Sequence, residues 1–337
     1  MPRTGMVNNF YFDKEVFTDY MQEQSTLNDL ILMSGILQHD PKIQESVGGE
    51  GNVGTAPMFC NIDGEDDALN DDGKTDNTPS ELKGKKQTWM AMARMKAWQQ
   101  NTYTRYLTGK NPLQNLANNL VLKYWRLQRQ KDLLAVLQGV LGVEKMATHV
   151  TDLSTTSGSI TEANKLTVTS TIDLGQKAVG DRRGGFGLFI CHSVVAANLR
   201  KQELLQNVTY FDTVLNKEVT VEVVNNMICL ETDTGTVDTS TENFPVYHSY
   251  MAGHGVILTA EKLVPNPYDV AYDPEKKGGV EKLYTKQAYV MHPNGFSLKV
   301  DEIAEESPTR DELKNPANWE LKIDDKLIML ACLKSNG

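Results

Sequence analysis

The chain has 337 residues, enough for two or three domain-sized units. With 40% hydrophobic and 23% charged residues it is an ordinary soluble chain that can bury a real core. A formal net charge of −10 argues against a protein whose main task is to grip exposed nucleic acid, which needs clustered Lys and Arg; a wall facing packed DNA is still allowed. The cysteines Cys60, Cys191, Cys229 and Cys332 are far apart and form no CxxC pair, so buried reduced thiols in a cytosolic setting are expected rather than a disulfide framework or zinc site. Met1-Pro2-Arg3-Thr4-Gly5 carries no signal-type apolar region. No apolar run reaches about 18 residues, so no membrane span is expected.

Residues 1 to about 24 set Phe10, Tyr11, Phe12, Phe17 and Tyr20 among acidic residues. They read as an arm whose aromatics need a surface to cover, which a neighbouring subunit would supply. Ser25 or Thr26 can cap a short helix through Leu27, Leu30, Ile31 and Leu37, with Gly35 a weak point in it. From Gly48 the chain loosens at Gly49, Gly51 and Gly54, and Ala56 to Ile62 reads as a strand. Asp63, Glu65, Asp66, Asp67, Asp71, Asp72 and Asp76 follow with Lys74 against them, then Lys83, Lys85 and Lys86. Such a segment cannot bury a core of its own, and a loop this long is usually functional or mobile. Thr88 to Trp98 alternates only in part, which leaves strand and helix both open. Residues 46–98 together read as an extended two-stranded excursion.

The excursion returns to the element that organises the chain, a helix from Asn111-Pro112-Leu113 to Gly139. Asn111 suits the N-cap, Pro112 the first helical position and Gly139 the end. Leu113, Leu116, Ala117, Leu120, Val121 and Tyr124 share one face, which Leu134, Leu137 and Val140 continue; Lys123, Arg126, Arg129 and Lys131 lie on the wet side. At about 1.5 Å per residue the helix is on the order of 40 Å long, a spine across which other parts are laid.

Beyond the spine, Thr151 to Ile160 is a Ser/Thr/Gly linker, and Thr169 or Ser170 can cap a helix over Ile172 to Ala178 that ends near Gly180. Phe186 to His192 reads as a buried strand, Ser193 to Gln206 as a helix, and Glu218 to Leu230 as strand material. Thr232 to Thr241 is a polar turn region, and Tyr247 to Leu258 a Gly-broken strand. Lys282 to Val300 reads as a hairpin about Pro293-Asn294-Gly295, and Trp319 to Ile323 with Lys326 to Leu333 as a final strand pair. Without a clean βαβ repeat the fold class is α+β.

The chemistry-bearing patterns lead nowhere catalytic. Gly49-Glu50-Gly51-Asn52-Val53-Gly54 matches GxGxxG, but Pro57 and the strand that follows deny the helix a dinucleotide site needs. The acidic run 63–76 fails the calcium-loop pattern, because a central Gly73 puts Ala68 first and Pro79 twelfth. His39, His149, His192, His248, His254 and His292 have no HExxH or HxH spacing. His192 beside Cys191 reads as a packed or capping residue rather than half of a dyad. Trp98, Tyr103, Tyr106, Tyr124 and Trp125 read as core at helical spacing rather than a stacking platform. No catalytic, cofactor or metal residue is assigned, and the chain is read as a non-enzyme.

Several stretches, in order, resemble the major capsid protein of tailed bacteriophages, the Hong Kong 97-type shell fold. They are Lys96-Ala97-Trp98 with Leu107-Thr108-Gly109-Lys110-Asn111-Pro112-Leu113 running into Tyr124-Trp125; Ile172 to Gly180-Asp181 followed by Phe189-Ile190-Cys191-His192-Ser193 and Leu199; Glu222 to Met227; Tyr247-His248-Ser249-Tyr250-Met251-Ala252-Gly253-His254-Gly255; and Trp319 with Lys326 to Leu333. The resemblance covers nearly the whole chain. It implies an N-terminal arm (1–45), an extended loop over an adjacent subunit (46–98), a peripheral domain (99–149, with spine helix 112–138, and the return strands 276–337) and an axial domain (150–275). It also implies self-assembly as pentamers and hexamers into an icosahedral head that encloses double-stranded DNA. The implied partners are a portal protein and separate scaffolding and decoration proteins where these are used, with no membrane. The implied location is the virion, assembled in the host bacterial cytoplasm. Some relatives cross-link a loop Lys to a neighbour's Asn; Lys74, Lys83, Lys85 or Lys86 with Asn294 would be the partners here, but no Glu in the sequence is marked for that chemistry, so none is expected. An encapsulin-like compartment shell of the same fold is the alternative, and a metal- or nucleotide-dependent enzyme is the second.

Overall fold

The computed structural model describes residues 6–7, 10–11, 35–48, 51–59, 73–74, 76, 84–108, 113, 121–212, 217–239 and 244–337. The acidic stretch 63–72, most of the arm, the helix expected from Ser25 and the spine's expected cap at Asn111 lie outside the described residues. Met6–Val7 (β1) pairs with Phe10–Tyr11 (β2). Leu37 is not helical as expected: Gly35 takes a left-handed φ of +86° and the chain enters a strand, Leu37–His39 (β3). Asp40 then caps a helix, Pro41–Gly48 (α1), its carboxylate accepting the Lys42 and Ile43 amides at 2.7 and 3.4 Å.

The excursion is two-stranded. Val53–Phe59 (β4) and Gly84–Met90 (β5) pair antiparallel from Val53 opposite Met90 to Phe59 opposite Gly84. The stretch left open between helix and strand is strand, continuing as Met92–Asn101 (β6). A short helix, Tyr103–Thr108 (α2), precedes the spine.

The spine is described as Val121–Leu141 (α3), with Leu113 helical ahead of it. Its far end corrects the expectation that Gly139 closes it. Gly139 lies inside the helix because a neighbouring segment crosses there: a Cβ would stand 2.0 Å from the Leu313 carbonyl. The single apolar face holds only for the first turns. From Leu133 to Leu137 every residue is buried, so the second half is covered on all sides.

After the spine come Val150–Asp152 (β7), the helix Val168–Val179 (α4), Phe186–Cys191 (β8) and the helix Ser193–Lys201 (α5). Thr167, not Thr169 or Ser170, caps α4, and Ser170 returns the capping-box bond. α5 stops short of Gln206, because Gln206–Asp212 (β9) pairs with Lys217–Val224 (β10). The strand expected over Glu218 to Leu230 is broken: Asn225 and Asn226 both adopt positive φ and turn the chain into Met227–Glu231 (β11). Val237–Asp238 (β12), Val246–Gly253 (β13), Ile257–Lys262 (β14), Tyr268–Asp273 (β15) and Val280–Pro293 (β16) follow. The chain closes with Phe296–Leu298 (β17), the helix Arg310–Lys314 (α6), Trp319–Leu321 (β18) and Leu330–Ser335 (β19).

Two pairings differ from expectation. The turn at Asn294-Gly295 forms, with Gly295 at φ +85°, but its strands part: β17 pairs with β18, while β16 pairs with β6, β14 and β15. β18 and β19 are likewise not a pair, since β19 runs between β13 and β7.

The result is one large mixed sheet in the order β7-β19-β13-β8-β11-β10-β9, with β12 on β13, and a second sheet built on β16. The central strands β8, β13 and β19 are covered on both faces, which explains their near-continuous apolar runs. Leu188, Ile190, Tyr250, Ala252, Leu330 and Cys332 face the spine core, while Phe189, Cys191, Met251, Ala331 and Leu333 face α4 and α5.

Candidate functional site

The described residues hold no group of three or more His, Cys, Asp or Glu able to bind a metal. The histidines are dispersed. His192 caps α5 by accepting the Val194 amide at 3.2 Å and packs on Tyr247, the capping role read from the sequence. His149 is buried with Nδ1 2.7 Å from the Leu330 carbonyl. His292 is wholly enclosed between Trp89 and Trp319, Nε2 2.9 Å from the Phe296 carbonyl, and burial pulls its pKa down to about 4. Cys191 and Cys229 lie side by side with sulfurs 3.6 Å apart, and the neighbouring thiol and burial push the Cys191 pKa up. Such a thiol is protonated and a poor nucleophile.

The Gly-rich stretch leads through Asn52 into β4 with no helix, as the sequence argued. The aromatic set divides. Trp98, Tyr124 and Trp125 meet edge to face, and Trp125 donates to Thr285 Oγ1 at 3.2 Å, so these are core; Tyr103 and Tyr106 stand exposed. Of the lysines considered for cross-linking, Lys85 donates to the Lys322 carbonyl at 2.7 Å and Lys86 is exposed.

What the fold does bring together is the root of the excursion. Trp89 on β5 is buried with Ile43, Val47, Ala91, Ala260 and Val290, and its indole donates to Ser46 Oγ at 3.2 Å. Gly54 makes room: a Cβ there would lie 2.3 Å from the Trp89 Nε1. Thr88 N donates to Ser297 Oγ at 3.1 Å and Ala91 N to the Asn52 carbonyl at 2.7 Å. The base is therefore fixed by many contacts of its own chain.

One layer deeper, Asp132 of the spine is wholly buried. Its Oδ2 accepts Arg94 Nε at 3.2 Å and the Tyr289 hydroxyl at 2.7 Å, and its Oδ1 accepts Arg310 Nε at 2.6 Å. Arg129 lies over the Tyr289 ring, 4.8 Å from its centroid, and pairs with Glu261 at 2.7 Å. One carboxylate thus ties the spine to β6, β16 and α6. Burial and the adjoining carboxylate push the Tyr289 pKa up, so its hydroxyl remains a donor. Sequence reasoning missed this joint, since an Asp between Lys131 and Leu133 reads as solvent-facing.

The second sheet has an open end. On β15, Tyr268, Val270 and Tyr272 are 52%, 65% and 57% exposed. Register puts them on the same face as Thr285 and Leu283, which the spine buries; β15 extends that face past its cover.

Comparison with known proteins accounts for this architecture. No family model matches the sequence. A major capsid protein from Bacillus phage SPP1 is 27% identical over 328 residues, covering 95% of both chains. The capsid of Ralstonia phage GP4 superposes with a TM-score of 0.53 at 9% identity, over 89% of this chain and 87% of that one. A cyanophage Pam1 capsid chain reaches 0.55 at 8% identity, over 94% of each. The fold is the Hong Kong 97-type capsid fold. The resemblance to the tailed-phage major capsid proteins therefore holds across the chain. The same capsid fold is found in an encapsulin complex, SrpI from Synechococcus elongatus PCC 7942, with a TM-score of 0.52 at 10% identity over 95% of this chain and 94% of that one.

Proposed function

We propose that this chain is the major capsid protein of a tailed phage, assembling as pentamers and hexamers into an icosahedral shell that encloses double-stranded DNA. The observation that carries this reading is the end-to-end sequence relation to a phage major capsid protein, joined to the capsid fold. Its mechanism is mechanical, many weak contacts summed over the shell, as closed symmetric assemblies require. Residues 1–45 serve as the arm and 46–98 as the extended loop lying on an adjacent subunit. Residues 99–149 with 276–337 form the peripheral domain, lending β19 to the large sheet, and 150–275 form the axial domain around the five-fold and six-fold axes. A rigid excursion root supports this division, because a loop that lies on a neighbour needs a fixed base. The net charge of −10 limits adhesion to DNA. Portal, scaffolding and decoration proteins are the partners, the virion the destination and the host bacterial cytoplasm the place of assembly; no catalytic role is proposed.

Particles isolated from the native source test the reading. Shell-sized particles that carry this chain and protect DNA from nuclease support it. The second reading, an encapsulin-like compartment, is favoured by the encapsulin among the structural neighbours; DNA-free shells filled with a cargo enzyme would establish it instead.

A further inference from the structure

A cleft of about 470 Å³ opens between the C-terminal end of the spine and the edge of the large sheet, apart from the excursion root. Its floor includes Tyr250, whose side chain is wholly buried and whose hydroxyl has no hydrogen-bond partner. The Gln138 amide is near enough to act on this hydroxyl, but it donates to the Gly235 carbonyl at 3.3 Å and makes no hydrogen bond of proper geometry with Tyr250. A buried polar atom without a partner in a native fold calls for a missing water, ion or ligand.

The walls indicate which. Lys334 is opposite His248 in the β13–β19 ladder, two pairs along from Tyr250 and Cys332, so these side chains share the cleft face. Lys314 of α6 reaches in from the other side. Neither ammonium has a carboxylate within ion-pair distance among the described residues. Asp238 supplies an acid to the wall but has a partner of its own. Burial first and Lys334 second hold the His248 pKa below its usual range, against an opposing pull from Asp238 and Asp152. The cleft thus presents two ammonium groups, a phenol O–H and an imidazole against the single carboxylate of Asp238, which is engaged elsewhere. A water satisfies the phenol but leaves the ammonium pair unanswered; an oxyanion answers both.

We propose that this cleft is a binding site for a small oxyanion, a phosphate or carboxylate group, held by Lys314, Lys334 and the Tyr250 hydroxyl. The cleft is formed within one chain, so the site stands independently of shell closure. Equilibrium dialysis of the full-length chain against labelled inorganic phosphate tests it, with ionic strength held constant by chloride. The expected result is saturable binding of a single phosphate per chain. Lys314→Gln, Lys334→Gln and Tyr250→Phe should each weaken it about tenfold or more, as loss of one charge-assisted or buried hydrogen bond does. Unlabelled acetate in the same cell separates the sources: competition assigns the site to carboxylates as well, and its failure assigns it to phosphate. Absence of saturable phosphate and acetate binding, or equal phosphate binding by wild type and both lysine variants, overturns the proposal. Lys314 is exposed, so its variant decides the question even where Tyr250→Phe does not fold.

Discussion

The two sheets treat their faces differently. The centre of the large sheet, β8, β13 and β19, is sealed on both sides by its own chain, with α4 and α5 on one face and the spine on the other. The second sheet is sealed only near the spine, and at β15 its tyrosines and valine stand in water. A buried Leu or Phe contributes about 1.5–3 kcal/mol, so the first arrangement is where one subunit gets its stability. The open end adds little to that stability and leaves apolar area that the chain itself does not cover. The Asp132 joint ties the spine, which packs on the large sheet, to β6 and β16 of the second.

Breaking that joint should cost most. Asp132→Ala leaves Arg94 and Arg310 facing a void, and we expect a loss of about 3–5 kcal/mol in denaturant unfolding of the unassembled chain. An undiminished midpoint would mean that the two arginines find water as easily as they found the carboxylate. Next comes pH. His292 is held near a pKa of 4 by burial, below an unfolded value of about 6.5. The unfolded chain therefore binds the proton first, so stability complete above about pH 6.5 falls as pH drops toward 4, by on the order of 3 kcal/mol. His149 and His248 are shifted in the same direction and steepen the fall. A His292→Gln profile over the same range should be flatter than wild type by that amount; parallel profiles would show that His292 reaches solvent.

Gly139→Ala drives a methyl group toward the Leu313 carbonyl, and an overpacking cost of about 1–3 kcal/mol is expected. A neutral result would place slack between the spine and α6. The smallest effect on the subunit belongs to the open end. Val270→Ser with Tyr272→Ser should change unfolding by about 0.5 kcal/mol or less, as exposed sites do, while particle yield in negative-stain images falls. Normal particle yield would remove β15 from the assembly surface.

The legible parts of this molecule were those whose signal is local. The spine follows from its 3.6-residue spacing, the excursion from its composition, and β8 from the run Phe186 to Cys191. Asn294-Gly295 announced its turn, yet the partner of β17 is Trp319–Leu321, and no local pattern encodes that choice. Asn225-Asn226 was a turn signal overlooked inside an alternating stretch. Gly139 was read as an end because glycine usually marks one, whereas here it is the point of closest approach to α6. Asp132 was hidden because its arginines come from positions 94 and 310, far away in the chain. The one hint was that the apolar run from Leu133 to Leu137 leaves no wet side nearby for a charge to face.

Hydrogen exchange on assembled particles and on dissociated subunits tests the contrast between the two sheets most directly. Amides of β15 and of the β4–β5 excursion beyond its anchored base are expected to slow strongly on assembly, while those of β8, β13 and β19 are already slow in the subunit and change little. Equal exchange of β15 and the excursion in both states would contradict it, and so would protection gained mainly by the large sheet.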